Sequence, residues 1–167
     1  MKNLYAPWRG TYIADNMHDL SNNSCAFCAQ LEEHTDAKNF ILKRCAYNAI
    51  FLNIYPYNPG HLLIVPYNHC DNLSLLVQEA RAEMMEIISH SVTLLNEHVH
   101  TEGTNIGFNL GGKAAGGSIP EHIHAHVLPR WIGDTSFLPA LAHAKPISLD
   151  LQDIYKKLLP VFAATSW

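Results

Sequence analysis

The chain has 167 residues, of which 48% are hydrophobic and 16% are charged, a balance that predicts one compact domain with a substantial core. Its formal net charge of −4 argues against a general nucleic-acid groove, which needs a basic face. No apolar run reaches transmembrane length and residues 1–9 lack an apolar signal core, so we expect a cytoplasmic protein, not bound to a membrane, whose four cysteines are reduced.

The chain begins with turn-forming residues, and residues 1–24 are predicted to form an irregular arm. Cys25 and Cys28 follow as a Cys-x-x-Cys pair, which on a turn can present two thiolates to one zinc ion. A thioredoxin-like redox pair is disfavoured, because no strand precedes the motif and a helix after it is only weakly indicated. The alternative to a metal site is two buried thiols.

Residues 39–67 have the pattern of a β-hairpin. Residues 39–44 predict a short strand, 45–55 are apolar and aromatic, and 56–60 form a strong turn rich in proline. Residues 61–66 are almost continuously apolar, as expected for a strand that is covered on both faces. His61 opens this run, and the simplest interpretation is that it merely begins the strand.

Residues 71–100 predict one long helix, because apolar residues recur there at spacings of three and four. Asp71 or Asn72 can cap its N-terminus, and Gly103 lies at or just after its end. A face that packs on the rest of the domain explains this pattern, so we assign no chemistry to the helix.

The residues with the most chemical potential follow a predicted strand at 105–110. Paired glycines at 111–112 and 116–117 frame a loop whose backbone can approach a ligand closely. After the loop, histidines recur at alternate positions, so in a strand they would project from one face. These histidines are His122, His124 and His126. The residues that would project into the core from the other face are Ile123, Ala125 and Val127, and Pro129 ends the run.

The C-terminal region predicts a loop and a helix. Residues 133–137 are expected to form a loop that can cover the site. Residues 148–160 predict a helix that is capped by Ser148, with Asp150 in its first turn. Leu149 and Ile154 are among the residues expected to pack inward from it.

Three imidazoles on one strand face suit two kinds of chemistry. Neutral imidazoles can hold zinc or iron in a tri-histidine metal site. Alternatively, one histidine attacks phosphorus while its neighbours supply protons and hydrogen bonds. Histidines placed by chance on a polar strand are a poor third explanation, because histidine is uncommon. The residues alone leave the first two possibilities open.

The stretch from His122 to Arg130 begins with the pattern His-φ-His-φ-His-φ-φ at 122–128, where φ is apolar, and it resembles the histidine triad (HIT) superfamily of nucleotidyl hydrolases and transferases. The run from Pro59 to Pro66 also matches this family. Gly-Phe-Asn-Leu-Gly at 107–111, Ala-Gly-Gly-Ser at 115–118 and Pro-Arg-Trp at 129–131 are similar to one bacterial branch, the diadenosine tetraphosphate (Ap4A) phosphorylase-like proteins, which are related to the fragile histidine triad hydrolases. The resemblance extends from about Leu4 to the C-terminal helix.

The expected fold is α+β, with an antiparallel sheet of about five strands, one long helix packed on it and a shorter C-terminal helix. All of 1–167 is expected to form a single HIT domain. HIT proteins usually pair into two-fold dimers, so the resemblance implies a homodimer or a tetramer.

The resemblance also implies roles for individual residues. His124 would be the nucleophile that attacks the α-phosphorus of a nucleotide and forms a nucleotidyl-histidine. It would be neutral, with its second ring nitrogen donating to a backbone carbonyl. His126 would hydrogen-bond a phosphate oxygen, and His122 would orient the site or bind zinc. The residues expected around the ribose and the phosphates are Asn53, Asn109, Gly117 and Ser118.

A structural zinc ion is implied as well. In similar HIT proteins two histidines complete the Cys-x-x-Cys site, and at the matching positions this chain has His69 and His122 beside Cys25 and Cys28. No organic cofactor is expected.

The activity implied is cleavage of dinucleoside polyphosphates of the Ap4A type, by phosphorolysis to ADP and ATP. Arg130 or Lys113 would supply charge for inorganic phosphate, although Arg130 equally suits a structural ion pair. The alternatives are a HIT hydrolase that uses water on dinucleoside polyphosphates or nucleoside phosphoramidates, a metal-dependent hydrolase or oxygenase, and a non-catalytic nucleotide sensor. The intact triad disfavours the sensor, because binding alone does not need His124.

Overall fold

The computed structural model describes residues 25–115, 118–135 and 149–165. The predicted arm at 1–24, Gly117 and the predicted cap Ser148 lie outside these ranges. The strands are β1 (Ile41–Arg44), β2 (Asn48–Leu52), β3 (Leu62–Pro66), β4 (Gly103–Phe108) and β5 (Ala125–Arg130). The α-helices in the same residues are α1 (Ala26–Glu32), α2 (Gln78–Val99) and α3 (Leu151–Ala164).

The five strands form one antiparallel sheet in the order β1-β2-β3-β5-β4, which confirms the α+β prediction. Every residue of β2 and β3 is buried, as the continuous apolar run 61–66 predicts for a strand covered on both faces. Apolar side chains from α2 and α3 pack on one face of the sheet. Phe27 and Leu31 of α1 pack on the other face, against side chains such as Phe51 and Leu63.

The triad segment alternates as predicted, but its strand is shorter than expected. Ile123, Ala125 and Val127 are all buried in the core shared with α2. The sheet pairing of β5 with both neighbours begins only at Ala125. Before it, the Ile123 amide donates to the Cys70 carbonyl at 2.6 Å, outside the ladder. His122 and His124 therefore precede the strand.

The predicted helix at 71–100 is divided. A short 3-10 turn at Leu73–Leu75 is capped by the Asn72 side chain, and α2 begins at Gln78. Between them Leu76 and Val77 have extended backbone, and Leu76 is buried. Burial of this leucine by an extended connection interrupts the helical pattern. No helix among the described residues combines the length and apolarity needed to cross a membrane.

The C-terminal helix α3 begins later than predicted. Its cap is Asp150, whose side chain accepts a hydrogen bond from the Gln152 amide at 2.8 Å. Leu149 precedes this cap and is 50% exposed, so the prediction that it packs inward is wrong. Ile154 and Leu158 are buried as expected.

Candidate functional site

Two thiols and two imidazoles meet at the start of α1. Cys25 is the N-cap residue of this helix and Cys28 lies in its first turn, so the Cys-x-x-Cys pair opens a helix instead of lying on an isolated turn. His69 follows β3 and His122 precedes β5. We call these four residues the Cys2His2 cluster. Cys25 Sγ lies 3.2 Å from His122 Nδ1, and Cys28 Sγ lies 3.4 Å from His69 Nδ1.

The Cys2His2 cluster has the dimensions of a tetrahedral zinc site. Its four potential ligand atoms lie within 4.8 Å of one another, and the two imidazole Nδ1 atoms are 3.3 Å apart. Zinc bonds of ordinary length separate neighbouring ligand atoms by about 3.3–3.8 Å. Burial, together with the neighbouring Cys25, raises the pKa of the Cys28 thiol to about 11, so a thiolate here requires a cation.

His122 is oriented by the backbone of β3. Its Nε2–H donates to the Pro66 carbonyl at 2.9 Å, which leaves Nδ1 unprotonated and facing the cysteines. Burial lowers the pKa of this imidazole. His122 points its Nδ1 toward the two cysteines, so it does not form a tri-histidine site with His124 and His126. Among the described residues, the candidate metal site is the Cys2His2 cluster.

His124 has the arrangement expected of a nitrogen nucleophile. Its Nδ1–H donates to the His122 carbonyl at 2.8 Å, so its Nε2 carries a free lone pair. Burial lowers the pKa of this imidazole and keeps the ring neutral. Phe27 packs edge-on against it at 5.0 Å between ring centroids, and the His126 ring lies at 4.9 Å.

His126 is hydrogen-bonded to His61. The distance between His61 Nε2 and His126 Nδ1 is 3.0 Å. On its other side, His61 Nδ1 lies 3.1 Å from the Asn53 side-chain nitrogen and accepts from the Tyr57 amide at 3.3 Å. His61 is fully buried. It therefore does more than begin β3.

The residues expected to bind the phosphates differ in their proximity to the triad. The Asn109 side-chain nitrogen lies 3.4 Å from His126 Nε2, and Asn109 is exposed. Ser118 is also exposed and makes no hydrogen bond to the other described residues. Asn53 reaches the triad only through His61, and its side-chain oxygen accepts from the Tyr55 amide at 2.9 Å.

Comparison with known proteins agrees with this geometry. The family model described as HIT domain matches residues 34–131, more than half of the chain. The chain belongs to the HIT family.

Two curated relatives are named as enzymes. The AP-4-A phosphorylase of Mycobacterium tuberculosis is 34% identical over 171 residues, which cover 100% of this chain and 85% of that protein. The asymmetrical bis(5'-nucleosyl)-tetraphosphatase of Schizosaccharomyces pombe is 27% identical over 96 residues, 58% of this chain and 52% of that protein. A solved structure, a Zn-bound histidine triad family protein from Mycobacterium smegmatis, has a TM-score of 0.68 at 29% identity, and the match covers 84% of this chain and 94% of that chain.

In this HIT protein Arg130 is part of an ion pair. Its guanidinium donates to both carboxylate oxygens of Asp134, at 2.6 and 2.9 Å, and to the Asn105 side-chain oxygen at 2.6 Å. These contacts favour the structural alternative for Arg130 over a phosphate contact. Asp134, which lies in the predicted covering loop, also accepts from Asn58 at 2.8 Å. The side chain of Lys113 lies outside the described part of the structure.

Sequence reasoning on this HIT protein missed two residues, one that contacts the triad directly and one that contacts His61. Phe27 stands between the two cysteines and contacts the rings of both His122 and His124. Tyr57 stacks on His61 at 5.2 Å and donates its amide to that ring. Both lie in segments that the sequence marked only as a metal motif and a turn. The one sequence signal for Tyr57 was the nearby His61, a histidine at the start of an otherwise apolar run.

Proposed function

We propose that this HIT protein is an enzyme that cleaves dinucleoside polyphosphates of the Ap4A type through a nucleotidyl-histidine. The observation that carries the proposal is the hydrogen bond from His124 Nδ1 to the His122 carbonyl. It leaves an unprotonated Nε2 on a buried, neutral ring, which is the requirement for attack on phosphorus. The names of two relatives, an AP-4-A phosphorylase and a tetraphosphatase, support the substrate class.

In the first step His124 Nε2 attacks the α-phosphorus of the substrate. A nitrogen–phosphorus bond forms, and the bond from that phosphorus to the bridging oxygen breaks. With Ap4A the leaving group is ATP, and AMP stays on His124. His126 would donate a hydrogen bond to a phosphate oxygen, and Asn109, Ser118 and the amide of Gly117 would bind the remaining oxygens.

In the second step an acceptor breaks the nitrogen–phosphorus bond and restores His124. Inorganic phosphate gives ADP, and water gives AMP. We propose phosphate, because the relative that aligns along the whole chain is named a phosphorylase. The second candidate function is hydrolysis, in which water attacks the same nucleotidyl-histidine, and the relative named a tetraphosphatase favours it.

We also propose that the Cys2His2 cluster holds a structural zinc ion. Its interatomic distances fit the metal, and a similar solved structure is described as Zn-bound. Bound zinc would fix Cys25, Cys28, His69 and His122 in one tetrahedron. Because His122 also accepts the hydrogen bond from His124, the ion would tie α1 to the segment that carries the nucleophile.

We further propose a two-fold homodimer or a dimer of dimers. Among the strands that the structure describes, β4 lies at one edge of the sheet and pairs with β5 alone. Its Ile106 side chain is 50% exposed. An edge strand that exposes a large apolar side chain gains stability when a second copy covers it.

The decisive experiment is product analysis with Ap4A in the presence and absence of inorganic phosphate. Phosphorolysis predicts ADP plus ATP with phosphate, and slow turnover without it. AMP plus ATP at equal rates in both conditions would replace the phosphorylase assignment with a hydrolase. Nucleotide binding without any turnover would leave a sensor.

A further inference from the structure

Asn58 is a buried asparagine that joins two separate segments of the chain. It lies in the turn between β2 and β3, and it is only 2% exposed. Its side-chain nitrogen donates to the Pro129 carbonyl of β5 at 2.7 Å and to the Asp134 carboxylate at 2.8 Å. An amide NH2 group has two hydrogens, so each of them has an acceptor here. We call Asn58 together with these two acceptors the Asn58 brace.

The Asp134 carboxylate is a firm anchor for the Asn58 brace. It accepts from the Arg130 guanidinium at 2.6 and 2.9 Å and from the Trp131 amide at 3.3 Å. The Asp134 side chain is only 7% exposed. Hydrogen bonds to a carboxylate are stronger than hydrogen bonds between neutral groups. Asn58 is therefore bonded to a group that is itself held in place by its neighbours.

Close packing adds a second link between the turn and β5. Gly60 has a φ of +76°, and a Cβ atom added there would lie 3.5 Å from Pro129 Cγ. The backbone of the turn thus passes next to the same proline whose carbonyl accepts from Asn58. Since β5 also carries His126, these two contacts set the position of the turn relative to the triad.

The turn begins at Asn53, the residue expected to bind ribose. The Asn53 side-chain oxygen accepts from the Tyr55 amide at 2.9 Å, so the orientation of its NH2 group depends on the backbone of the turn. Asn58 closes the turn, because its carbonyl accepts from the His61 amide at 3.2 Å. A displacement of Asn58 would therefore move the Tyr55 amide and, with it, the Asn53 side chain.

We infer that Asn58 is a positioning residue for nucleotide binding, because the Asn58 brace holds the turn that orients Asn53 at a fixed place beside β5. Asp134 has the same role from the loop that follows β5. Both residues act on the nucleotide through Asn53, so their removal changes substrate affinity and not the chemical step. The kinetic consequence rests on the proposed function, whereas the link between the loop and the turn does not.

Asn48 provides a matched control for a purely structural role. It is also buried, and its side-chain nitrogen likewise donates to a carbonyl and to a carboxylate, those of Ala80 at 3.0 Å and Glu83 at 2.8 Å. It opens β2, at the opposite end of this strand from the turn. Asn48→Ala therefore removes the same chemical contacts as Asn58→Ala without disturbing the turn.

Kinetics with Ap4A separate the two asparagines. Both Asn58→Ala and Asn48→Ala should lower Tm. Only Asn58→Ala should also raise the KM, by about fivefold, with little change in kcat. An unchanged KM in Asn58→Ala, or an equal rise in the two variants, would make Asn58 purely structural and overturn the inference.

A double variant tests whether Asn58 acts through Asn53. If it does, Asn58→Ala in an Asn53→Ala background should leave the KM at the value of Asn53→Ala alone. Independent effects would instead multiply to about 25-fold, and that result would refute the route through Asn53. Asp134→Leu removes the other end of the Asn58 brace and should raise the KM about as much as Asn58→Ala does; a wild-type KM would refute the anchor role of Asp134.

Hydrogen exchange of the Tyr55 amide, followed by NMR, gives a readout that needs no turnover. This amide should exchange faster in Asn58→Ala than in the wild type, because the turn opens more often, and at the wild-type rate in Asn48→Ala. Unchanged exchange in Asn58→Ala would refute the link between the Asn58 brace and the turn. Absence of turnover in the wild type would instead refute the proposed function and leave this test standing.

Discussion

Removal of one thiol from the Cys2His2 cluster is expected to destabilise the whole domain. Cys25→Ser takes away a ligand whose Sγ lies 3.2 Å from His122 Nδ1, while Cys28, His69 and His122 remain. The zinc ion would join the start of α1, the end of β3 and the segment before β5, so its loss frees three parts of the chain. The triad chemistry does not require the thiol itself.

The magnitude follows from mass action. An ion present at about 1,000 times its dissociation constant stabilises the folded state by about 4 kcal/mol. For a domain of this size each kcal/mol corresponds to about 2–4 °C in Tm, so Cys25→Ser should lower Tm by about 8–16 °C. The kcat of the protein that remains folded should change less than its stability does.

The assay combines elemental analysis with thermal unfolding. Wild type purified without added metal should contain about one zinc per chain, and a chelator should lower its Tm toward that of Cys25→Ser. Cys45→Ser is the matched control, because Cys45 is only partly buried and lies outside the cluster. It should leave both the zinc content and the effect of the chelator unchanged. A wild type that folds normally without zinc would refute the metal assignment.

Three further predictions concern binding, charge and pH. Asn53→Ala should raise the KM for nucleotides about fivefold, since a hydrogen bond to ribose is worth about 1 kcal/mol; an unchanged KM and kcat would make Asn53 purely structural. Arg130→Gln should lower Tm, because Asp134 loses its ion pair and keeps only its neutral hydrogen-bond donors. It should leave the KM for phosphate unchanged, and a large rise in that KM would restore Arg130 as a phosphate ligand. Burial lowers the pKa of His61 to about 3 and that of His126 to about 4, from 6.5 in the unfolded chain. Between pH 6.5 and 4 the unfolded chain therefore binds more protons than the folded chain does. The free energy of unfolding should fall as the pH is lowered through this range. Urea unfolding of Cys25→Ser, in which zinc release cannot contribute, should show this slope, and a flat profile would contradict the burial of neutral histidines.

The sequence was most informative where one physical rule dominated. Alternation of apolar residues at Ile123, Ala125 and Val127 correctly predicted which face of the triad segment is buried. The continuous apolar run at 61–66 correctly predicted a strand that is covered on both faces. The Cys-x-x-Cys pair, combined with the family resemblance, named the four residues that the fold brings together.

Boundaries were less predictable, because tertiary packing decides them. Leu76 fits the helical period of 71–100, yet it reaches the core from extended backbone before α2 begins. The triad alternation continues upstream of β5, but the Ile123 amide bonds to Cys70 instead of a neighbouring strand. The cap of α3 fell on Asp150, two residues after the predicted Ser148. The first two shifts depend on contacts that are distant in sequence, whereas Asp150 caps α3 through the nearby amide of Gln152.

The hydrogen bonds of the site could not be read from residue types. Arg130 matched both a phosphate ligand and an ion-pair residue until Asp134 was found beside it. His61 looked like an ordinary strand residue, and only the hydrogen bond between its ring and that of His126 shows that it supports the triad. The expected donation from His124 to a backbone carbonyl was found, with His122 as the acceptor.

In the proposed mechanism His124 becomes covalently attached to a nucleotide during turnover. The most direct measurement is mass spectrometry of the peptide that contains His124, after rapid mixing with Ap4A without inorganic phosphate and digestion at alkaline pH, where a phosphoramidate survives. We expect an adenylyl group on His124 in the wild type, its removal by phosphate as ADP, and binding of Ap4A to His124→Ala without adduct or turnover. Normal turnover by His124→Ala, or an adenylyl group on another residue, would contradict the nucleophilic role of His124.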